Sequence, residues 1–226
     1  MAPSTNMSED ASSTEARSAG DLVGNTRPAH NEKPLDELFL VAKGVAGLGG
    51  YLNMGIDLAF HSSTHEPALY NLEITGLWGR TTTMRLRTGA QQKGACIASC
   101  TFYKFSPDTD LEIKEGTSTM TRVGHDNHYW VAAGVNFTWK HMPHVPGKQS
   151  TFADPDWKLT NRDSGEVHAV YVATLGNSKH RGQVQFRRSL GLDWEKAVLL
   201  TLGAVVERLR QKQARRGSIL TGMMAY

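Results

Sequence analysis

The sequence predicts a mainly β protein, a β-barrel closed around a single C-terminal helix, and three observations lead there. Between residues 57 and 190 short β-rich runs alternate with turn signals, and 22 glycines suit many tight turns. The segment LDWEKAVLLTLGAVVERLRQKQ, Leu192 to Gln213, has no charged residue from Ala197 to Val206, whereas a surface helix carries one apolar stripe and one polar face. At 226 residues the chain suits one all-β domain with tails.

Taken in order, residues 1–34 are rich in Ser, Thr, Ala, Glu and Asn, with too few large apolar side chains to repay the entropy of ordering, so a disordered polar tail is expected. Residues 35–56, LDELFLVAKGVAGLGGYLNMGI, read as an apolar, glycine-rich lead-in that opens with a short helix and ends in a loop. Its glycines lack the Lys-Ser/Thr of a phosphate-cradling loop. The domain proper is expected over 57–216, followed by a tail at 217–226. Its strands fall at Asp57–His61, Leu69–Ile74, Thr82–Arg87, Ala95–Phe105, Leu111–Lys114, Ser118–Arg122, Tyr129–Ala133, Val135–His141, Trp157–Asn161, Val167–Ala173 and Gln183–Arg188. In MRLR and VQFRR polar and apolar residues alternate, so one face of each strand looks outward. WKLTNRDSGEVHAVYV is the clearest hairpin, its turn at Asp163-Ser164-Gly165 using glycine for the positive φ.

The helix that ends the domain, 194–213, has Asp193 as its expected N-cap, Glu195 in its first turn and basic residues in its last turns. After Trp194, its apolar stripe is Val198, Leu199, Leu202, Val205, Val206 and Leu209, worth roughly 10 to 15 kcal/mol if all six are buried. The reverse face, Leu200, Thr201, Gly203 and Ala204, is uncharged too. A helix lying across one sheet has no need of that, so a sheet wrapped around the helix is the economical solution. A membrane span would need about 20 apolar residues, twice what is present. Cys96 and Cys100 lie on one strand, ~13 Å apart and beyond the ~7 Å that a disulfide bridges. They read as free core thiols of a reducing compartment. With no apolar leader, a cytoplasmic protein is expected, peripheral to a membrane if associated with one.

The ordered set ALYNLEITGLWGRTTTMRLR, GACIASCTFYKF, YW…FTWK, DWKLTNRDSGEVHAVYV and LDWEKAVLLTLGAVVERLR, from Leu58 to Gln213, resembles fungal members of the tubby C-terminal-like superfamily. That superfamily also holds plant LURP-one-related proteins and phospholipid scramblases. The resemblance implies a closed antiparallel β-barrel of about twelve strands threaded by a central C-terminal helix. It also implies binding of phosphoinositides at a basic surface, as tubby-like domains do, or scramblase-like interaction with calcium and lipid. None of the family's phosphoinositide ligands is carried over to a residue of this chain.

The formal net charge of +3 is too small and dispersed for a nucleic-acid partner. Arg80, Arg85 and Arg87 in RTTTMRLR, with Arg187 and Arg188 in QFRR, are the outward basic candidates for an anionic lipid. Arg208, Arg210, Lys212, Arg215 and Arg216 read first as a solvated helix end suited to the helix dipole, and second as a lipid-headgroup patch. HDNH and HMPH place His125, His128, His141 and His144 at the two open ends of a hairpin, where imidazoles beside Asp126 would suit zinc. Ordinary hairpin-end histidines are the simpler reading, because residues three apart on a strand face opposite ways. Asp108, Asp110, Glu112 and Glu115 read as a solvated turn without the EF-hand pattern, and five tryptophans as packing around the helix. With no nucleophile elbow or activated thiol, no catalytic residue and no cofactor are expected. The expected function is therefore a non-enzymatic binding module for anionic lipid, such as a phosphoinositide, or for a protein partner. The alternatives are a small-molecule barrel serving as accessory factor or enzyme in a fungal pathway, and a scramblase-like membrane-associated protein.

Overall fold

The computed structural model describes residues 36–43, 57–63, 65–76, 80–89, 94–114, 116–124, 127–142, 156–174 and 180–223. Twelve strands precede one helix: β1 (Asp36–Lys43), β2 (Asp57–His61), β3 (Ala68–Thr75), β4 (Thr81–Thr88), β5 (Cys96–Tyr103), β6 (Asp108–Ile113), β7 (Gly116–Val123), β8 (Asn127–Ala132), β9 (Val135–His141), β10 (Trp157–Asn161), β11 (Val167–Ala173), β12 (His180–Phe186) and α1 (Leu192–Met223). Each strand pairs antiparallel with its sequence neighbours, and β1 pairs with β12, so the sheet closes into a barrel without a free edge.

Every strand expected from residue 57 onward is present, with ends moved by at most three residues. The lead-in is corrected: residues 35–56 contain a strand rather than a helix, and the barrel begins at Asp36 instead of 57. Alternation along DELFLVAK buries Leu38 and Leu40 inside, and β1 finds its partners in β12, from Asp36 opposite Phe186, and in β2. The polar tail 1–34 lies outside the described residues. At the other end, the helix backbone continues past Gln213 to Met223, through most of the expected tail.

The size of the barrel explains its contents. Twelve strands spaced about 4.8 Å apart and tilted about 40° make a backbone cylinder roughly 24 Å across. One layer of wall side chains on each side leaves about 10 to 12 Å, the diameter of an α-helix with its side chains. α1 occupies that space, and every residue from Ala197 to Glu207 is buried. Leu200 and Ala204, on the reverse face, are both at 0% exposure. At Gly203 the wall comes close enough that a Cβ would lie 2.4 Å from Leu72 Cδ1 and 3.0 Å from Met84 Sδ. Across the helix, Trp139 Nε1 donates to Thr201 Oγ1 at 3.0 Å, and Thr201 donates to the Val198 carbonyl. Trp130 and Trp157 complete that wall, while Trp194 packs from the helix itself against Phe137 and Phe186; Trp78 lies outside the described residues.

The helix start differs in detail from expectation. Gly191, not Asp193, supplies the first accepting carbonyl, to Glu195 N–H, and Asp193 sits in the first turn bound by Lys114 and Lys196. Cys96 is exposed at the start of β5, so only Cys100 is a core thiol; both are free. Asp108, Asp110 and Glu112 lie on strand β6 rather than in a turn, and Glu115 lies outside the described residues. Tyr103 and Ser99 donate to Asp110 and Glu112. The β10–β11 turn is as expected, with Gly165 at φ 74° and Asn161 Oδ1 accepting from Asp163 N–H.

The tight approach at Gly203 sets a test. Gly203→Leu forces extra methylenes into a filled interior and lowers stability by about 1 to 3 kcal/mol, read from the urea midpoint. Gly203→Ala falls within about 1 kcal/mol of the parent, because better helix propensity offsets the shift demanded of the Leu72 methyl.

Candidate functional site

The antiparallel topology sorts the connections between two ends. Helix α1 enters the barrel at the end carrying the β2–β3, β4–β5, β6–β7, β8–β9 and β10–β11 connections. It leaves beside the β3–β4, β5–β6 and β7–β8 connections. The exit is where the apolar run ends. Glu207, buried, accepts two hydrogen bonds from Arg210 at 2.6 Å each and one from Gln211 at 3.0 Å. These bonds hold Arg210 protonated to unusually high pH. Arg208 turns to the wall: it donates to Thr109 Oγ1 at 2.8 Å and to the Ser106 and Asp108 carbonyls, and it lies over the Phe102 ring. This clamp ties the helix to the β5–β6 connection.

Around that clamp stand Arg80, Lys104, Arg122 and Lys212. Lys104 N–H donates to the Arg80 carbonyl, joining the β3–β4 and β5–β6 connections, and both side chains are exposed. Arg122 and Val123 end β7 next to the same connection, because Arg122 N–H donates to the Pro107 carbonyl. Phe105 projects from the turn at 87% exposure, with Lys104 Nζ 5.7 Å from its ring centre. Between Trp157, His128, Arg122 and the helix residues Val205, Arg208 and Lys212 lies a cavity of about 20 Å³, room for a single water. Trp157 lines it at 2% exposure, and its buried Nε1–H has no hydrogen-bond partner.

His128 lines this cavity from β8. Burial, followed by the charges of Arg208 and Arg122, pushes its imidazole down to about 3, so the ring is neutral. It meets Trp157 edge-on, as does His141 from the next strand. His125, Asp126 and His144 lie outside the described residues. Among the described residues no group of three or more His, Cys, Asp or Glu side chains converges as a metal site would need. His128 faces inward on β8, and His141 is exposed at the end of β9.

The five arginines singled out by sequence are not brought together. Arg80 alone is at the exit end. Arg85 and Arg87 do point outward on β4, but Glu73 on β3 faces them, 2.8 Å from Arg87 Nε and 4.0 Å from Arg85. Arg187 and Arg188 follow β12 at the opposite end, where Arg188 pairs with Glu166. The insertion end pairs further charges, Lys114 and Lys196 both with Asp193. Lys104, Phe105 and Arg122 escaped sequence analysis because YKFSPD and TRVG look like ordinary turns; only the register assembles them.

No protein-family model, curated protein or solved structure matches this chain.

The neutral His128 fixes a pH dependence. An ordinary histidine ionises near 6.5, so below that pH the unfolded chain binds a proton that the folded barrel refuses. Stability contributed by this site is therefore complete above about pH 6.5 and is lost as pH falls toward 3. His168, buried and also lowered, adds the same sign. His128→Phe keeps the ring contact with Trp157 and flattens the fall of the urea midpoint between about pH 6.5 and 4. An unchanged slope contradicts this assignment.

Proposed function

We propose that the protein is a non-enzymatic, tubby-like binding module that docks its exit end on an anionic lipid surface. The supporting observation is a coincidence at one rim. Phe105 is almost fully exposed where Arg80, Lys104, Arg122 and Lys212 gather, and the helix that carries the basic run emerges there. An apolar ring set among cations suits the boundary between headgroups and acyl chains, where buried apolar area and attraction to anionic lipid add. The barrel around a central helix is the architecture that the sequence resemblance implies, and it leaves the helix, not a ligand, in the interior. Among the described residues no helix is long and apolar enough to cross a membrane, which fits docking at the surface by the rim. A phosphoinositide is the headgroup that the resemblance favours. The cavity beside Trp157 offers an unpartnered N–H among cations for one oxygen of a phosphate group.

Co-sedimentation with phosphatidylcholine vesicles, alone or containing phosphatidylserine or a phosphoinositide, tests this reading. Binding is expected only with anionic lipid and weakens with salt. Phe105→Ala and Arg122→Glu each reduce vesicle affinity by about tenfold, whereas Arg188→Gln, at the opposite end, leaves it unchanged. Equal binding by all three variants, or no dependence on lipid charge, overturns the proposal.

A further inference from the structure

Helix α1 does not stop where the barrel does. Its side chains pass from buried at Glu207 to half-buried over residues 208–212, and the helical backbone runs on through residues 213–223, about 16 Å more at 1.5 Å per residue. The sequence of this overhang is QARRGSILTGM. Two properties of it stand out once the barrel's exit is located. First, it places Arg215 and Arg216 three and two residues before Ser218, with Ile219 directly after. Protein kinases that select basic substrates read that spacing, through groove carboxylates that take the two arginines and an apolar pocket that takes the following side chain. Second, it is a weak helix. Glycines at 217 and 222 each cost a helix about 1 kcal/mol relative to alanine, and a helix end frays residue by residue. Opening of this segment costs little and leaves the buried part of α1 in place, so the extended conformation that a kinase groove requires is within reach.

We propose that Ser218 is a phosphorylation site for a basophilic protein kinase and that its modification releases the exit end from an anionic surface. The release half rests on the membrane reading above. In the transfer, Ser218 Oγ forms a bond to the γ-phosphorus of ATP as the bond from that phosphorus to the β–γ bridging oxygen breaks. ADP leaves, and the hydroxyl proton passes to the kinase's base. The product carries a charge of about −1.5 to −2 at neutral pH. It stands within the run Arg208, Arg210, Lys212, Arg215 and Arg216, and it offsets the attraction of about two of these to anionic lipid. Thr221, three residues on, has Ser218 rather than arginine at the corresponding spacing, so within residues 213–223 a single site is specified.

The test uses the full-length chain, the catalytic subunit of cAMP-dependent protein kinase as the probe enzyme, and ATP. Mass spectrometry is expected to find phosphate on Ser218. The product should be absent from Ser218→Ala and form at least tenfold more slowly in the Arg215→Ala/Arg216→Ala double variant. Phosphatidylcholine–phosphatidylserine vesicles then receive both forms, and the phosphorylated protein is expected to bind about tenfold more weakly. Ser218→Ala treated in the same way should bind as the unmodified protein does. No phosphate on Ser218, or incorporation indifferent to the two arginines, overturns the site. Equal vesicle binding by the two forms overturns the release while the membrane reading stands. Failure of the unmodified protein to bind overturns that reading and the release with it.

Discussion

A cylinder of twelve antiparallel strands is too wide for its own side chains to fill, and this constraint governs the molecule. Wall residues reaching inward from opposite strands leave a channel about as wide as a helix. Left empty or wet, it would expose the apolar inner faces of every strand. α1 removes that cost by packing on the whole circumference at once, which is why its sequence lacks charge on every side and not only along a stripe. The fit is uneven around the axis. Gly203 lets the helix approach Leu72 and Met84, while the wall formed by β8, β9 and β10 is thick with Trp130, Trp139 and Trp157. The hydrogen bond from Trp139 to Thr201 gives this packing a single rotational register.

A filled interior moves whatever the protein recognises to the outside, and the two rims are unlike. At the insertion end acids and bases pair locally, as Asp193 does with Lys114 and Lys196. At the exit, the change from Val206 to Glu207 and Arg208 marks where the sheet stops covering the helix. Glu207 is buried and bound by Arg210 and Gln211, and Arg208 donates to carbonyl and hydroxyl oxygens on the β5–β6 connection. His128 beside this rim is held neutral first by its burial and then by the charges of Arg208 and Arg122. The net charge of the chain is small because its 25 Lys and Arg nearly balance its 22 Asp and Glu, not because charges are few.

Much of the fold was legible because its signals are local. The uncharged run Ala197–Val206 announced a helix buried on all sides, and alternation in MRLR placed Arg85 and Arg87 outside while Met84 and Leu86 went in. The first strand was not legible. Leu35, Leu38, Phe39 and Ala42 fit a helical period as well as Leu38 and Leu40 fit a strand. What decides between them is pairing of Asp36 with Phe186, far beyond any local window. The rim was hidden for the same reason. Glu73 opposite Arg85 weakens a patch that looked strong, and Phe105, Arg122 and Lys212 become neighbours only through strand register and the exit of the helix. A bulge opposite Leu159 and Thr160 turns His168 inward beside Ala169, which simple alternation forbids.

Native-state hydrogen exchange of the backbone amides from Ala197 to Glu207 tests the enclosed helix most directly. If sheet surrounds this stretch, these amides exchange only through global unfolding, with the same free energy and denaturant dependence as the most protected strand amides. Exchange of the helix amides at a distinctly lower free energy, while the strands stay protected, would mean that α1 undocks from an intact sheet and would contradict the enclosure.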